Sequence, residues 1–398
     1  MKKQIINEIK KHLSGDNIEN ASKRLLDFFW YYLRDTPIYQ EVIELRKNYN
    51  LEKTLGQKEV ELQKATKYKD DISSILESIN IENGEEVPKD RADLVLIDNI
   101  TKTFNHRSKK FEFGPVSLDI HKGDIVGVVG ENGNGKTTFL RILQEEISKD
   151  SGQIKHFYKL ENISSSDHYK RKNRTAFIPQ RVERWRGTLM ENLVYFAAIH
   201  GFKGKENSQI VNYVIHRMGL SAFTGLTWGQ LSSGYKLRFE LTKMLIWEPD
   251  ILILDEPLAN LDIQATQNLL EDLRFFADST IHPIGILLTS QQLHEVEQIA
   301  DKILFLRNGK SIFSGSRESF TDSREERVVE LMSSSSFDVI NGILKQKSVR
   351  VTLSSNMIKL HIPWETNINE VLQDLINANV EINYFRDITN STVQLFNN

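Results

Sequence analysis

Residues 130 to 138, Gly-Glu-Asn-Gly-Asn-Gly-Lys-Thr-Thr, have the residue types and spacing of a phosphate-binding loop. Gly130 is followed, after four residues, by Gly135, Lys136 and Thr137. Glycines let successive backbone N–H groups face an anion, a lysine can reach the β- and γ-phosphates of a nucleotide, and a hydroxyl can bind Mg²⁺. The apolar run before the loop and the helical pattern after it are the context that such a loop requires. The pattern predicts a nucleotide site that uses Lys136 and Thr137.

Two acids, Asp255 and Glu256, come directly after the apolar run 251–254. A fully apolar run of this length is typical of a central parallel strand, and ligands gather at the carboxyl ends of such strands. Carboxylates are costly to bury there without a metal ion or a proton to handle. Asp255 could instead cap the next turn, but its position favours a functional role.

Two glutamines and a small-residue turn complete the candidate groups. Gln180 ends the predicted strand 176–178, and Gln291 comes after the predicted core strand 284–288. Residues 231 to 235, Leu-Ser-Ser-Gly-Tyr, open a predicted helix and are called the signature turn below. Because a helix N-terminus offers free N–H groups, this turn is a second potential anion site.

Composition and periodicity divide the chain into segments that must position these groups. Residues 1–82 read as a helical extension and 83–92 as a linker, which predicts that the extension is separate from the rest of the chain. Residues 93–318 read as an α/β unit with a helical subdomain at about 182–247, and 324–398 have the order βαββαβ of a ferredoxin-like α+β domain.

Three stretches allow two readings each. The aromatic block 25–33 is more often core than a docking surface, and the basic run 169–174 is more often solvated than bound to phosphates. Trp185 could be core or an interface anchor with equal weight.

Bulk composition excludes several classes. A 398-residue chain with a net charge of −3 has no global attraction to nucleic acid, and we expect no nucleic-acid partner. The absence of cysteine excludes disulfides. The N-terminus lacks the apolar stretch of a signal peptide, and the longest apolar runs are strand-length. We therefore expect a cytoplasmic chain that does not span a membrane alone.

Across residues 93 to 315 these motifs follow one another in an order that resembles the nucleotide-binding domain of ABC ATPases. The resemblance implies ATP and Mg²⁺ as cofactors and Glu256 as the base that deprotonates the attacking water. It implies that Phe104 stacks on adenine and that Gln180 and Gln291 assist hydrolysis. The implied nucleotide contacts are Phe104, Gly130, Glu131, Asn132, Gly133, Asn134, Gly135, Lys136, Thr137, Thr138, Ser232, Ser233 and Gly234, and the implied metal ligands are Thr137, Gln180 and Asp255. The signature turn is expected to cap the γ-phosphate held by a second copy, so a homodimer with ATP at its interface is implied.

This sequence departs from the family pattern at three places. Ser233 replaces a glycine and Tyr235 a glutamine of the signature turn, and Gln291 replaces the histidine that contacts the γ-phosphate. A glutamine amide can donate a hydrogen bond but cannot carry a positive charge. We therefore expect slow hydrolysis.

The resemblance implies the ATP-hydrolysing subunit of an exporter, held at the inner face of the cell membrane by separate permease chains. The alternatives are a non-transport ABC ATPase that acts as a mechanical or signalling switch, and a nucleotide sensor with slow hydrolysis. The N-terminal helices fall outside the family pattern, and their docking surface stays open among the permease, another partner and the ATPase itself.

Overall fold

The computed structural model describes residues 1–54, 62–79, 92–106, 109–157, 173–322, 326–354 and 357–389. Of the predicted linker 83–92 only the last residue is described, and most of the basic run 169–174 also lies outside these ranges. No helix in the described part of the chain is both long enough and apolar enough to cross a membrane.

Helices fill the N-terminal part, as the apolar spacing predicts. Their bounds are α1 (Lys2–Ser14), α2 (Ile18–Tyr32), α3 (Pro37–Thr54) and α4 (Leu62–Ser78). α2 begins after Asn17, whose side chain accepts from the backbone N–H of Asn20 at 3.0 Å and so satisfies a free donor of the first turn.

The aromatic block of α2 is core, which confirms the favoured reading. Phe28 and Phe29 are at most 1 % exposed, and they belong to one apolar cluster that also contains residues from the rest of the chain. Trp30 stacks on Tyr213 with ring centroids 4.6 Å apart. The N-terminal helices are therefore not a separate unit, since they pack on the α/β part (residues 92 to 322). Of the docking surfaces left open, the N-terminal helices occupy one on the α/β part of the same chain.

The α/β part contains two sheets. Its strands are β1 (Asp93–His106), β2 (Lys109–His121), β3 (Ile125–Val129), β4 (Ser151–His156), β5 (Thr175–Ile178), β6 (Ile251–Leu254), β7 (Gly285–Ser290), β8 (Lys302–Arg307) and β9 (Lys310–Ser316). The smaller sheet has the antiparallel order β2-β1-β4 and the larger the order β5-β6-β7-β3-β8-β9, parallel except for β9.

Strand β4 lies in a polar stretch of the chain for which the sequence analysis predicts no strand. Ser151–His156 pairs with β1, and its side chains alternate between exposed and half-buried. A strand without any fully buried side chain carries too few apolar residues to be recognised from composition.

The parallel register brings the strand ends of the larger sheet to one edge. Ile178 pairs with Leu254 and Leu254 with Leu288, and Val129 lies beside Ser290. Every side chain of β3, β6 and β7 is buried, as expected for strands covered on both faces. The segments that leave the carboxyl ends of these strands therefore meet.

Helices of the α/β part cover the larger sheet or form the helical subdomain. They are α5 (Lys136–Leu143), α6 (Leu189–Ile199), α7 (Gly204–Arg217), α8 (Ser233–Leu245), α9 (Ile263–Ala277), α10 (Leu293–Glu297) and α11 (Arg317–Asp322). α6 begins in a capping box between Thr188 and Glu191. Trp185 is half-buried and packs on Phe239, with ring centroids 4.5 Å apart, so the structure favours its core reading.

The C-terminal part has the predicted order βαββαβ. Its elements are β10 (Glu326–Ser333), α12 (Phe337–Leu344), β11 (Arg350–Ser354), β12 (Met357–Pro363), α13 (Ile368–Asn377) and β13 (Ile382–Asp387). The sheet order β11-β12-β10-β13 is antiparallel throughout, as in a ferredoxin-like fold. The helices and the sheet share an apolar core of their own.

Candidate functional site

The phosphate-binding loop joins β3 to α5 at the edge where the parallel strands end. Gly135 has a φ of +99°, and a Cβ added there would lie 2.8 Å from Cδ2 of Phe113, so any other residue would force the loop to move. No side chain caps the start of α5. Its first N–H groups can therefore face an anion, which is the geometry predicted for this loop.

The Lys136 ammonium group lies between the loop backbone and an acid. Its Nζ donates to the carbonyl oxygen of Gly130 at 2.6 Å and to that of Glu131 at 3.3 Å. Oε1 of Glu256 is 3.1 Å from the same nitrogen. The side chain is only 4 % exposed, so its charge is weakly screened and acts strongly on groups beside it.

A threonine that the sequence analysis missed connects the two strand-end acids. Thr289 donates its hydroxyl to Oδ1 of Asp255 at 2.7 Å and accepts from the backbone N–H of Glu256 at 2.7 Å. The other oxygen of Asp255 accepts from the Thr137 hydroxyl at 3.2 Å. The sequence signal that could have identified Thr289 is its position near the end of β7, the strand that pairs with β6.

The Glu256 carboxylate accepts hydrogen bonds from both glutamines that the sequence analysis singles out. Its Oε2 accepts from the side-chain amides of Gln180 at 2.7 Å and Gln291 at 2.8 Å, while Oε1 faces Lys136. Glu256 also has a φ of +47°, a region that residues other than glycine rarely adopt and that costs about 1–3 kcal/mol. The contacts around it hold this strained backbone and fix the direction of the carboxylate.

This arrangement suits hydrolysis of a phosphoanhydride. Phosphoryl transfer requires positioning and charge neutralisation, which the loop N–H groups and Lys136 supply. A fixed carboxylate at the same edge can take the proton from an attacking water. The structure therefore brings Gln180, Asp255, Glu256 and Gln291 to the loop.

The donor set fits a magnesium ion. Mg²⁺ prefers oxygen ligands and is usually held by one or two protein groups together with phosphate oxygens and water. Thr137 and Asp255 supply a hydroxyl and a carboxylate whose oxygens are 3.2 Å apart, and the side-chain amide of Gln180 is bonded to Glu256, the residue after Asp255. Within the described ranges no group of three or more His, Cys, Asp or Glu side chains could hold a metal, so phosphates and water would complete this shell.

Residues of the loop differ in what their side chains do. Asn134 is buried and accepts from the backbone N–H of Asn308 at 2.9 Å, so its side chain ties the loop to the β8–β9 turn. Glu131, Asn132 and Gly133 are exposed. Thr138 is half-buried. At these loop positions, the backbone N–H groups are the donors that can bind a phosphate.

Phe104 lies near the loop through a second aromatic residue. Its ring centroid is 6.3 Å from that of Phe111, and Cζ of Phe111 is 3.4 Å from a Cβ added at Gly135. Phe111 was missed by the sequence analysis, although it faces Phe104 across the β1–β2 pair. Both rings could contact a base bound beside the loop.

The signature turn takes no part in these contacts. Ser232 caps α8 and accepts from the backbone N–H of Tyr235 at 3.4 Å. Gly234 faces α9, where a Cβ added to it would lie 2.9 Å from Cβ of Ala265. Ser233 is exposed at the first position of α8. The structure thus separates this turn from the acids and glutamines around the loop of the same chain.

A glycine-rich loop on a parallel sheet, with a lysine, a hydroxyl and a strand-end aspartate around it, defines a P-loop nucleotide-binding protein. Similarity to known proteins narrows this class. The family pattern described as ABC transporter matches residues 113–259. The probable sulfate/thiosulfate import ATP-binding protein CysA of Chlorella vulgaris is 30 % identical over 231 residues, which cover 57 % of this chain and 93 % of that one. The chain therefore belongs to the ABC transporter family as an ATP-binding subunit, and it is an ATPase.

Other similar proteins are also named as components of ABC transporters. The ABC transporter ATP-binding protein NatA of Bacillus subtilis is 27 % identical over 240 residues, covering 58 % of this chain and 92 % of that one. Among solved structures, cbiO1 from Clostridium perfringens, part of the ABC transporter complex cbiONQ, has a TM-score of 0.51 at 19 % identity and covers 64 % of this chain and 96 % of that one. At this sequence identity, the similarity to cbiO1 concerns the fold alone.

Proposed function

We propose that this chain binds ATP with Mg²⁺ at the loop, closes into a homodimer on ATP, and drives export through separate permease chains. The observation that carries the proposal is the Glu256 carboxylate, held by Gln180 and Gln291 beside Lys136. A carboxylate so placed can deprotonate water aimed at a γ-phosphate. Bound Mg²⁺ would neutralise phosphate charge, with Thr137 and Asp255 as its protein ligands.

In the proposed dimer the signature turn belongs to the partner's site. Ser232 and Gly234 lie outside the contacts of their own loop, which supports a role toward a second copy. Release of the γ-phosphate would then open the dimer. Glu256→Gln should dimerise on ATP and persist as a dimer by light scattering. Ser232→Arg in that background should still bind nucleotide yet stay monomeric; dimers at the yield of Glu256→Gln alone would rule out the shared site.

The proposed permease surface lies on α6, close in sequence to the segment that carries Gln180. Val194, Tyr195 and Ile199 are 42 %, 65 % and 56 % exposed, an apolar patch that a partner would cover. Through such a partner the chain would be peripheral at the inner face of the cell membrane. The relative cbiO1 is described as part of a complex, which supports separate subunits here.

Affinity purification of the tagged chain from solubilised membranes tests this surface. A polytopic membrane protein should co-purify and should change the rate of ATP hydrolysis when reconstituted. Tyr195→Glu should abolish both effects, whereas Ile312→Glu, at another exposed apolar residue that lies on β9, should preserve them. Equal capture by both variants would contradict a permease on α6.

Export rests on the resemblance of this domain order to exporter subunits, and relatives named for import make its test necessary. Inside-out membrane vesicles supplied with ATP should accumulate cargo in their lumen, as followed by mass spectrometry of the vesicle contents. ATP-dependent loss of a compound from the lumen would contradict export. The ferredoxin-like domain, residues 324–398 in our assignment, is proposed as a regulatory or interaction unit.

A further inference from the structure

One buried carboxylate joins three helices at the junction of the N-terminal helices and the α/β part. Asp272 of α9 is 2 % exposed. Its Oδ1 accepts from Lys23 of α2 at 2.9 Å, and its Oδ2 accepts from Arg238 of α8 at 2.7 Å. Burial raises the pKa of Asp272, but Arg238 and Lys23 outweigh burial and hold the pKa below its usual value. The carboxylate is therefore ionised and satisfied by both cations.

Arg238 is close to the signature turn along the same helix. α8 begins at Ser233, so Arg238 lies less than two helical turns from Ser232. The same two helices also meet at Gly234, where only a glycine fits against Ala265 of α9. Two contacts along one helix fix both its distance from α9 and its rotation.

The N-terminal helices reach the turn by a second route. Tyr235 packs on Phe223 with ring centroids 4.0 Å apart, and α3 packs against the short 3₁₀ turn Ser221–Phe223. Arg46 and Asn50 of α3 donate to the carbonyl oxygen of His216, just before that turn, at 3.2 and 2.9 Å. The start of α8 is therefore held from both α2 and α3.

We infer that the N-terminal helices set the position of the signature turn for hydrolysis, with Lys23 as a positioning residue that acts through Asp272 and Arg238. The inference rests on the proposed function, in which this turn completes the nucleotide site of a second copy. Lys23 touches no part of the P-loop site. Instead, Lys23 affects the position of Ser232 at the start of α8.

Lys23→Met can separate this role from simple folding. The change leaves Asp272 paired with Arg238, and Glu19, the other partner of Lys23, stays paired with Arg46 and Lys53. No buried carboxylate is left without a cation, so we expect the variant to fold. Lys53→Met is the matched control because Lys53 pairs with Glu19 and has no bond to Asp272.

Steady-state hydrolysis and nucleotide titration measure the effect on the full chain. Lys23→Met should lower kcat by about 2- to 30-fold, the range for coupling through packed networks. KM and the Kd for a fluorescent ATP analogue should not change, because the P-loop of each chain is intact. Lys23→Arg should restore kcat, and Lys53→Met should leave it at the wild-type value.

Equal kcat values for Lys23→Met and Lys53→Met, or a matching rise of KM and Kd, would overturn the inference. If Lys23→Met fails to fold, Lys23→Gln, which keeps a donor toward Asp272 without the charge, takes its place with the same expectations. The Ser232→Arg variant distinguishes a failure of the proposed dimer from a failure of the positioning role of Lys23. If it hydrolyses ATP normally, the proposed dimer fails; if it is inactive while Lys23→Met equals wild type, only the positioning role fails.

Discussion

Gln291 donates its side-chain amide to Oε2 of Glu256 at 2.8 Å. The residue that follows β7 is thus bonded to the proposed base by a neutral donor. A histidine at this position could instead donate a charged hydrogen bond to the γ-phosphate, where charge develops in the transition state, and such a bond is worth about 1–1.5 kcal/mol more than one from a neutral donor. Gln291→His should therefore raise kcat by about 10-fold. Phosphate release measures the rate, and Glu256→Gln gives the background.

Gln267→His is the control for this change, since Gln267 is exposed on α9. It should leave kcat unaltered. An unchanged or lower rate for Gln291→His would contradict the expectation that Gln291 slows hydrolysis.

Lys136→Ala should abolish measurable ATP binding. The change removes a charged donor that can reach the phosphates, which is worth about 3 kcal/mol or about 100-fold in affinity. It also leaves the 9 % exposed Glu256 carboxylate without its cation and so adds repulsion toward phosphate. Titration with a fluorescent ATP analogue checks the loss. Lys149→Ala, at an exposed lysine, should bind normally, and equal affinities for the two variants would refute the assignment of the loop.

The sequence was sufficient for features that depend on local spacing. Gly135 and Lys136 are adjacent in the chain, and the apolar run before Asp255 marks its strand. The parallel sheet then brings Gln180 and Gln291 together, because strand ends meet at one edge. Each of these predictions needed only the order of residues along one element and one rule of sheet topology.

The contacts between α2 and the helical subdomain could not be predicted from spacing. Asp27 and Arg217 form a buried ion pair at 2.7 Å, yet they are 190 residues apart in the chain. Nothing in either helix alone distinguishes these charges from solvated ones. Thr289 was missed for a related reason, because a hydroxyl inside an apolar strand shows its role only when the neighbouring strand is placed.

Asp27→Ala should unfold the chain at a lower temperature. Asp27 is 1 % exposed and accepts from Arg217 and from the hydroxyl of Tyr213, each at 2.7 Å. Its removal leaves a buried guanidinium group without an acid, which costs about 3–5 kcal/mol. Thermal unfolding followed by circular dichroism measures the fall in Tm.

Glu44→Ala is the matched control for that prediction. It removes the exposed pair between Glu44 and Lys47, which is worth at most about 1 kcal/mol. A Tm for Asp27→Ala within the range of this control would show that the buried pair does not hold α2 in place.

His216 should make the free energy of unfolding depend on pH. Burial, with a smaller contribution from Lys47, lowers its pKa from 6.5 to about 4. Because the unfolded chain binds this proton more tightly, stability is fully present above pH 6.5 and is lost as pH falls toward 4. The difference in pKa corresponds to a loss of about 3 kcal/mol.

Denaturant unfolding at a series of pH values between 7 and 4 checks this loss. His216→Asn can keep the bond that Nδ1 makes with the Ser221 hydroxyl at 2.8 Å but cannot take up the proton. Its free energy of unfolding should decline less steeply over this range than that of the wild-type chain. Parallel curves would assign the pH dependence to other groups.

The apolar cluster that α2 shares with the α/β part has a consequence for how this chain folds and degrades. The family pattern matches from residue 113, but the packed core extends back into the first helix, where Ile5 and Ile9 are completely buried. A fragment cut at residue 92 would present to water the surface that Phe28 and Phe29 cover. We expect such a fragment to aggregate, so the start of the family pattern does not mark a place at which the polypeptide can be divided.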